Sequence, residues 1–426
     1  MKIFENLKKN EFIINLIPLF LGTSSAQVIL LFTSPILTRI FSPENFGLFI
    51  IYQSILSVLL VIASMRFELA IMLPKKDSDS LSLFFLSFLI VLILSLFLFL
   101  SLIIIFLIIE LKNFEAFFFL VPGLFLAGFY QIFVNWNNRK SNFRIIAFAN
   151  LAQTFFISFS QIILGLLGYL SQGLIIGSLI GSSFSIFIFI RGKIFSLSNI
   201  LKKINLNSLL KNATDFREFP LFSLPGALIN SVSLQAPVFW VSTFFGQATT
   251  GFYGLALRVV YLPIILLSTP VFQVTYKKIS DLDNQRPEEI RPYIFNKILA
   301  LFLFTIPFPI IFIFFSEYIF SFVFGYEWIK AGEYSKYLVF LAYIKFCVSP
   351  AMAVFNLKRN IKSGALWQFF YFVSLCIFLM FLYFNSASME IFLVAIVIHE
   401  FCQNLILLLL TYIRTSYSLD KHEFKF

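Results

Sequence analysis

Long apolar segments dominate this sequence, and the clearest of them runs from Leu81 to Ile109 without one charged residue. A helix needs about 20 mostly apolar residues to cross the hydrocarbon core of a bilayer, which is about 30 Å thick. Only 12% of the 426 residues are charged, about half the share found in soluble domains. These observations exclude a soluble globular protein and predict a chain that spans the membrane.

The polar breaks between apolar runs predict twelve membrane spans. Because the runs are apolar on all sides, rather than alternating with a period of two as barrel strands do, the spans are predicted to be helices. The expected fold class is therefore an all-α polytopic membrane protein with twelve transmembrane helices. The predicted spans are 13–38, 46–69, 81–109, 115–135, 145–168, 172–190, 221–245, 251–276, 293–315, 337–356, 363–384 and 389–412.

The net charge of +11 follows this pattern of spans. If the N-terminus is cytoplasmic, 26 of the 32 Lys and Arg residues lie on the cytoplasmic side, and only Arg39, Lys112, Lys330 and Lys336 lie on the other. Basic residues concentrate in cytoplasmic loops of membrane proteins. The distribution predicts that both termini are cytoplasmic, and it gives no reason to expect a nucleic-acid partner.

An internal repeat divides the chain into two similar halves. PLFLGTSSAQVILLFTSP, from Pro18, and PLFSLPGALINSVSLQAP, from Pro220, both open with Pro-Leu-Phe and carry a proline in mid-helix. Six spans per half would give two six-helix bundles of the same orientation, related by a pseudo-two-fold axis along the membrane normal. The predicted domains are 1–192 and 220–426, with an amphipathic cytoplasmic linker at 193–219. Similar composition of apolar helices is the alternative explanation of the repeat.

Several segments resemble the polysaccharide-biosynthesis flippases, the Wzx-type translocases of O-antigen and capsule units in the multidrug/oligosaccharidyl-lipid/polysaccharide exporter superfamily. The resemblance covers about the first 280 residues, and the rest matches in pattern only. The segments are SPILTRIFSPENFGLF (34–49), SMRFELAIMLPKKD (64–77), NNRKSNFRIIAFANLAQ (137–153), GLIIGSLIG (173–181) and FPLFSLPGALINSVSLQAPVFWVSTFFGQATTGFYGLALRVVYLP (219–263).

This resemblance implies translocation of an undecaprenyl-diphosphate-linked oligosaccharide across the bacterial cytoplasmic membrane, for O-antigen, lipopolysaccharide, capsule or another surface polysaccharide. Alternating access is the implied mechanism. The sugar and diphosphate would occupy a polar cavity between the halves, and the lipid tail would stay in the bilayer. A glycan polymerase and a chain-length regulator are candidate partners. A multidrug antiporter and a lipid II flippase, both of the same superfamily, remain alternatives.

Charged residues at membrane depth are the candidate functional residues, because placing one there costs about 2.5–3.5 kcal/mol on insertion scales. Arg258 lies seven residues beyond Gly251, about 10 Å into its span. A guanidinium binds phosphate oxygens in a bidentate manner, so Arg258 is predicted to line the cavity and contact the cargo's diphosphate. An interhelical ion pair or a clamp on backbone carbonyls is the alternative.

Three further deep residues, Lys345, His399 and Glu400, lie in the tenth and twelfth spans. A carboxylate at membrane depth can bind a proton near neutral pH, so His399 and Glu400 are candidates for proton coupling. Lys345 is a candidate cavity residue. The alternative is a structural salt bridge between Lys345 and Glu400.

Charged residues at the ends of spans are weaker candidates, because long side chains there can reach the interface. Arg66 and Glu68 are predicted at the cytoplasmic mouth of the second span, and Arg39 at the outer mouth of the first. Two residues apart on a helix, Arg66 and Glu68 would point to different faces and would not pair.

Glycines spaced by four in GLIIGSLIG, at Gly173, Gly177 and Gly181, predict close helix packing. In the linker, leucines and isoleucines among lysines predict a helix that lies on the anionic inner leaflet. These apolar positions are Leu201, Ile204, Leu206, Leu209 and Leu210.

An enzyme of the same membrane, a glycosyltransferase or O-antigen polymerase, is the alternative from a different functional class. Asp77-Ser78-Asp79 and Asp281-Leu282-Asp283 match the three-residue DxD pattern of glycosyltransferases, but so short a pattern is weak evidence. The longest predicted outer loop, 316–336, is too short for the catalytic loop that such enzymes use. The three cysteines lie in apolar segments, and neither a metal site nor a cofactor is expected.

Overall fold

The computed structural model describes residues 11–108, 114–192, 206–357 and 360–423. These residues contain helices and short turns, with no strand among them. The helices are α1 (Glu11–Ile40), α2 (Pro43–Ile62), α3 (Phe67–Ala70), α4 (Asp77–Ile108), α5 (Leu120–Arg139), α6 (Phe143–Leu166), α7 (Gly173–Arg191), α8 (Leu206–Asp215), α9 (Leu224–Gln285), α10 (Ile290–Thr305), α11 (Pro307–Phe324), α12 (Ile329–Phe355), α13 (Ile361–Phe384) and α14 (Met389–Glu423).

Helices lie in all twelve predicted spans, although the second ends at Ile62 rather than at residue 69. This confirms the all-α polytopic class. Ten described segments are long and apolar enough to cross a bilayer. One of them, Phe219–Asp283, has 65 residues and includes both the seventh and the eighth predicted spans. The first predicted span coincides with α1, a helix of 30 residues.

A single glycine bends α9 between the seventh and eighth spans. Gly246 has φ 79° and ψ −178°, while the helix continues on both sides. That backbone region is essentially restricted to glycine. The hydroxyl of Thr250 donates to the Gly246 carbonyl at 2.8 Å, a contact across the first turn of the helix after the bend.

The chain forms two compact units, Met1–Gln235 and Ala236–Phe426. In the first unit, an aromatic group on α4, α5 and α7 forms the centre of the core. Phe84 meets Phe133 and Trp136 edge to face, with ring centroids 5.4 and 5.8 Å apart, and Phe133 stacks on Phe189 at 5.5 Å. The predicted domain boundaries at 192 and 220 remain predictions.

Close packing of α7 against α6 confirms the interpretation of the spaced glycines. A Cβ added to Gly177 would lie 2.5 Å from Cγ of Gln161, and one added to Gly181 would lie 2.6 Å from the Gln153 carbonyl oxygen. The Gln161 amide donates to the Leu174 carbonyl at 2.8 Å across the same contact. Only a helix face without side chains permits this approach.

The described part of the linker is the short helix α8. Its Leu209 is buried and its Leu210 exposed, and the hydroxyls of Ser208 and Ser82 lie 3.2 Å apart where α8 meets the start of α4. Leu201 and Ile204 lie outside the described residues. One face of α8 therefore packs against the start of α4, while the amphipathic linker on the inner leaflet remains a prediction.

In the second unit, α12 is the central helix. In its most apolar stretch 72% of the residues are buried inside the protein, against 17% in the span of α13. Val348, Ala351 and Val354 of α12 pack in one core with Ile294 of α10 and Leu407 of α14. Because α12 is so enclosed, a charged side chain at its centre is costly unless it has a partner.

The predicted outer loop 316–336 is wrong. Helix α11 continues to Phe324 and α12 begins at Ile329, so only Gly325–Trp328 separate them. The charged residues that suggested a loop lie on the two helices instead, where Lys336 pairs with Glu317. An ion pair allows charges to occupy helix ends near the interface, and the sequence pattern alone did not reveal it.

The bend at Gly246 predicts a specific loss of stability. Gly246→Ala should lower the melting temperature of the purified protein, because an L side chain in this backbone region costs of order 1–3 kcal/mol. Gly226→Ala is the matched control on the same helix: a Cβ there meets open space and the backbone has no positive φ. This control should melt at or slightly above the wild-type temperature. Equal effects of the two substitutions would contradict the role of the bend.

Candidate functional site

Arg258 lies in α9, twelve residues beyond the bend at Gly246, and its side chain is half-buried. Within the described ranges, no hydrogen bond or ion pair engages its guanidinium. The predicted alternatives, an interhelical ion pair and a carbonyl clamp, are thus not formed by those residues. Five N–H donors remain available at membrane depth.

Lys345 and Glu400 form an ion pair between α12 and α14. The Lys345 ammonium lies 2.8 Å from Oε1 of Glu400, and the tyrosine hydroxyl of Tyr371, on α13, donates to the same oxygen. The Lys345 side chain is 31% exposed, whereas that of Glu400 is only 4% exposed. Three helices of the second unit therefore meet at one carboxylate, and its cation is the accessible member.

A second set of polar groups adjoins this pair. Nε2 of His399 lies 3.0 Å from the hydroxyl of Ser374, and the amide of Gln403 donates to the same hydroxyl at 2.7 Å. Ser374 in turn donates to the Tyr371 carbonyl at 2.9 Å. We call these residues together the Glu400 cluster: Lys345, Tyr371, Ser374, His399, Glu400 and Gln403.

Apolar and aromatic side chains surround the Glu400 cluster. Leu341, Leu375 and Ile396 are buried beside it, with Tyr261 packed against them. Phe378 stacks on His399 with ring centroids 5.1 Å apart. These contacts keep bulk solvent away from Glu400, so that its charge depends on the partners that the protein supplies.

The position of Tyr261 shows where Arg258 lies with respect to the Glu400 cluster. It lies one helical turn after Arg258 on α9, and it interacts electrostatically with both Lys345 and Glu400. Residues three apart on a helix are neighbours on its surface. Arg258 is therefore near the margin of the cluster without taking part in its ion pair.

The predicted site residues do not include Tyr371, Ser374 and Gln403, although the sequence carries a signal for them. Tyr371 and Ser374 stand three residues apart in an apolar span, and His399, Glu400 and Gln403 repeat at spacings of three and four in another. Such spacings place polar groups on one helix face. Whether these two helix faces meet, however, is decided by tertiary packing.

The prediction that Arg66 and Glu68 do not pair is wrong. Helix α2 ends at Ile62, and Met65 and Arg66 adopt left-handed conformations with φ 50° and 67°. This turn brings the Arg66 guanidinium to 3.9 Å from the carboxylate of Glu68. The helical spacing rule therefore did not apply, and no glycine or proline marks this turn in the sequence.

Glu68 is buried outside the spans, at the start of the short helix α3. The Ser64 hydroxyl donates to its carboxylate. Burial raises the pKa of the Glu68 carboxyl above its ordinary value, while the hydrogen bond from Ser64 and the charge of Arg66 oppose this rise. Arg39, the predicted counterpart at the outer mouth, is an exposed residue in the last turn of α1.

Asp77, the first residue of the Asp77-Ser78-Asp79 match, forms structural ion pairs. Arg139 and Lys140, at the end of α5, pair with the two oxygens of Asp77 at 3.1 and 2.6 Å. Arg139 also donates to the backbone carbonyls of Ile71 and Met72. These contacts fasten the segment between α3 and α4 to the end of α5. In the described ranges, no group of three His, Cys, Asp or Glu side chains is placed to hold a metal ion.

Comparison with known proteins gives the family. A family model described as "Polysaccharide biosynthesis protein" matches residues 36–333, more than half of the chain. The teichuronic acid biosynthesis protein TuaB of Bacillus subtilis (strain 168) is 23% identical over 159 residues, which are 37% of this chain. That match spans 33% of TuaB, so the chain matches about a third of the relative's length.

Solved structures share the fold. An inward-facing multidrug resistance MATE family transporter of the MOP superfamily superposes with a TM-score of 0.69 at 14% identity, covering 92% of this chain and 96% of the other. A MOP superfamily transporter from Pyrococcus furiosus Vc1 (DSM3638), whose description reports a binding pocket of reverse polarity, gives 0.60 at 17% identity and covers 94% of each chain.

The MATE fold has twelve helices in two bundles, which agrees with the predicted fold class. The fold is that of membrane transporters, and the family description names polysaccharide biosynthesis. The chain belongs to the polysaccharide biosynthesis protein family, and its fold is that of the MATE transporters.

Proposed function

We propose that this protein moves an undecaprenyl-diphosphate-linked oligosaccharide from the cytoplasmic to the outer leaflet of the bacterial inner membrane, by alternating access. The product would supply O-antigen, capsule or another surface polysaccharide. The observation that carries the proposal is Arg258, a cation at membrane depth that pairs with no other described residue. A charge so placed is expensive to keep unless a ligand uses it.

The chemistry of the deep charges favours an anionic cargo. A guanidinium offers paired N–H donors that match the oxygens of a diphosphate. Lys345 is a second cation, and its side chain is 31% exposed. Arg258 and Lys345 would thus contact the diphosphate, and the sugar would bind through polar contacts elsewhere.

The alternatives within the superfamily fit these charges less well. A cation exporter needs an available carboxylate at membrane depth, but Glu400 is already engaged by Lys345 and Tyr371. A lipid II flippase also carries a diphosphate cargo, but such proteins usually have two helices more than the twelve spans found in this sequence. A polymerase or glycosyltransferase would need a large outer loop, whereas α11 and α12 are separated by only Gly325–Trp328.

Substitution of Arg258 tests the proposed function. Arg258→Ala should reduce flipping of a lipid-linked oligosaccharide by about 10- to 100-fold, because a hydrogen bond to a charged group contributes about 1.5–3 kcal/mol. Arg258→Lys keeps the charge but loses the bidentate geometry, so its activity should fall between Ala and wild type. The measurement is transfer across the membrane of proteoliposomes, at matched protein content.

Arg286→Ala is the control for this experiment. Arg286 directly follows α9, its side chain is 67% exposed, and among the described residues it pairs with Glu289 three residues on. Exposed pairs of this kind contribute little, so its transport should equal wild type. Normal flipping by both Arg258 variants would show that Arg258 does not contact the cargo.

Labelling of single cysteines tests the proposed orientation, with cytoplasmic termini. In a variant without Cys347, Cys376 and Cys402, an impermeant maleimide added to intact cells should label Tyr326→Cys and leave Arg286→Cys unlabelled. Tyr326 is 83% exposed between α11 and α12, and Arg286 lies between α9 and α10. Opening the cells should expose Arg286→Cys. The reverse pattern would overturn the orientation.

A further inference from the structure

The ion pair of the Glu400 cluster is asymmetric in a way that a purely structural pair need not be. Lys345 keeps 31% of its side chain exposed, while Glu400 keeps 4%. A second anion can therefore approach Lys345, whereas no second cation can reach Glu400 to replace Lys345. Another ion pair of the second unit, Lys336 with Glu317, lacks this asymmetry, since its two side chains are 36% and 44% exposed.

Glu400 depends on Lys345 for its charge. Apart from Lys345, the donor that reaches the carboxylate is the hydroxyl of Tyr371, since Asn404 donates to the backbone carbonyl of Glu400 instead. A buried carboxylate that loses its cation is strongly destabilised. Such a group is neutralised by binding a proton.

A proton acceptor stands beside this carboxylate. Ser374 already donates its hydrogen to the Tyr371 carbonyl, so Nε2 of His399 carries the hydrogen in its contact with Ser374. Nδ1 of His399 is then a bare acceptor, and it is buried with no hydrogen-bond partner. His399 can thus take up a proton at Nδ1.

Few other titratable groups face Glu400. On α9 they are Tyr253 and Tyr261, which interact electrostatically with Lys345 and Glu400. Helix α12 contributes Lys345, α13 contributes Tyr371, and α14 itself contributes His399. Tyrosines stay neutral near physiological pH. The charge state of the cluster is therefore set by Lys345, Glu400 and His399.

We infer that Lys345 and Glu400 form an exchange pair: the diphosphate of the cargo binds Lys345 in place of Glu400, and the released carboxylate takes up one proton. This inference rests on the proposed function, because it requires an anionic cargo. The charges balance, since Lys345 exchanges one anionic partner for another while the proton neutralises Glu400. Cargo binding and proton binding then strengthen each other by the same factor.

Calorimetry of the purified full-length protein with farnesyl diphosphate tests the exchange. Binding measured in buffers of different ionisation enthalpy reports how many protons are taken up with the ligand. The wild type should take up about one proton more per ligand than Glu400→Gln does. Its affinity should fall by up to about tenfold per pH unit as pH rises, because the bound state holds the extra proton. Glu400→Gln should bind with little of this dependence.

Two further variants keep the result interpretable. Glu317→Gln removes the carboxylate of the more exposed pair with Lys336 and should leave proton uptake at the wild-type value. A double variant with Lys345→Met and Glu400→Gln removes both charges, so that neither is left buried without its partner. This double variant should fold, bind the diphosphate at least tenfold more weakly and take up no extra proton.

The outcomes separate the two claims. If farnesyl diphosphate binds with the same proton uptake in wild type and Glu400→Gln, the exchange is overturned while the proposed cargo contact stands. If it does not bind the wild type at all, both the exchange and the proposed diphosphate cargo are overturned. Lower proton uptake in Glu400→Gln with unchanged uptake in Glu317→Gln supports the exchange pair.

Discussion

The bilayer's lack of hydrogen-bonding partners governs this protein. Every backbone N–H and C=O at membrane depth has to find a partner within the chain, which helices achieve without help from neighbours. The same solvent makes each ionised side chain costly unless it is paired or used. Helix content and the small number of deep charges are thus two consequences of one constraint.

Charges near the membrane border and charges at depth meet this constraint differently. Asp77 pairs with Arg139 and Lys140 while remaining largely exposed, so water stabilises these groups as well. Glu400 lies almost fully buried and relies on Lys345 and Tyr371. Arg258 has no described partner. The border pairs fasten helices together, whereas the two deep sites hold charge that a ligand could exploit.

The two units use their residues for different purposes. In the first, glycines on α7 let it approach α6 closely, and the packed aromatic rings on α4, α5 and α7 fill the core. In the second, α12 is the most enclosed of the candidate spans and carries a lysine at its centre. Among the described residues, the ionisable groups at membrane depth are accordingly concentrated in the second unit.

The spans could be predicted from the sequence because hydropathy is a local property. The predictions were wrong where local rules did not apply. Met65 and Arg66 adopt left-handed conformations without a glycine to announce them, and this turn pairs Arg66 with Glu68. The sequence predicted a loop where α11 and α12 continue as helices, because Glu317 and Lys336 are polar. Only the structure shows that these two residues pair.

The amino-acid sequence by itself determined that the chain crosses the membrane as twelve helices, and it picked out Arg258, Lys345, His399 and Glu400 as charges at depth. Only the tertiary structure decided that Lys345 and Glu400 pair, that Tyr371 and Ser374 join them, and that Arg258 does not. The reason is physical: hydropathy is a property of each segment alone. Pairing depends on the rotation and depth of helices that are distant in sequence, and these are set by packing.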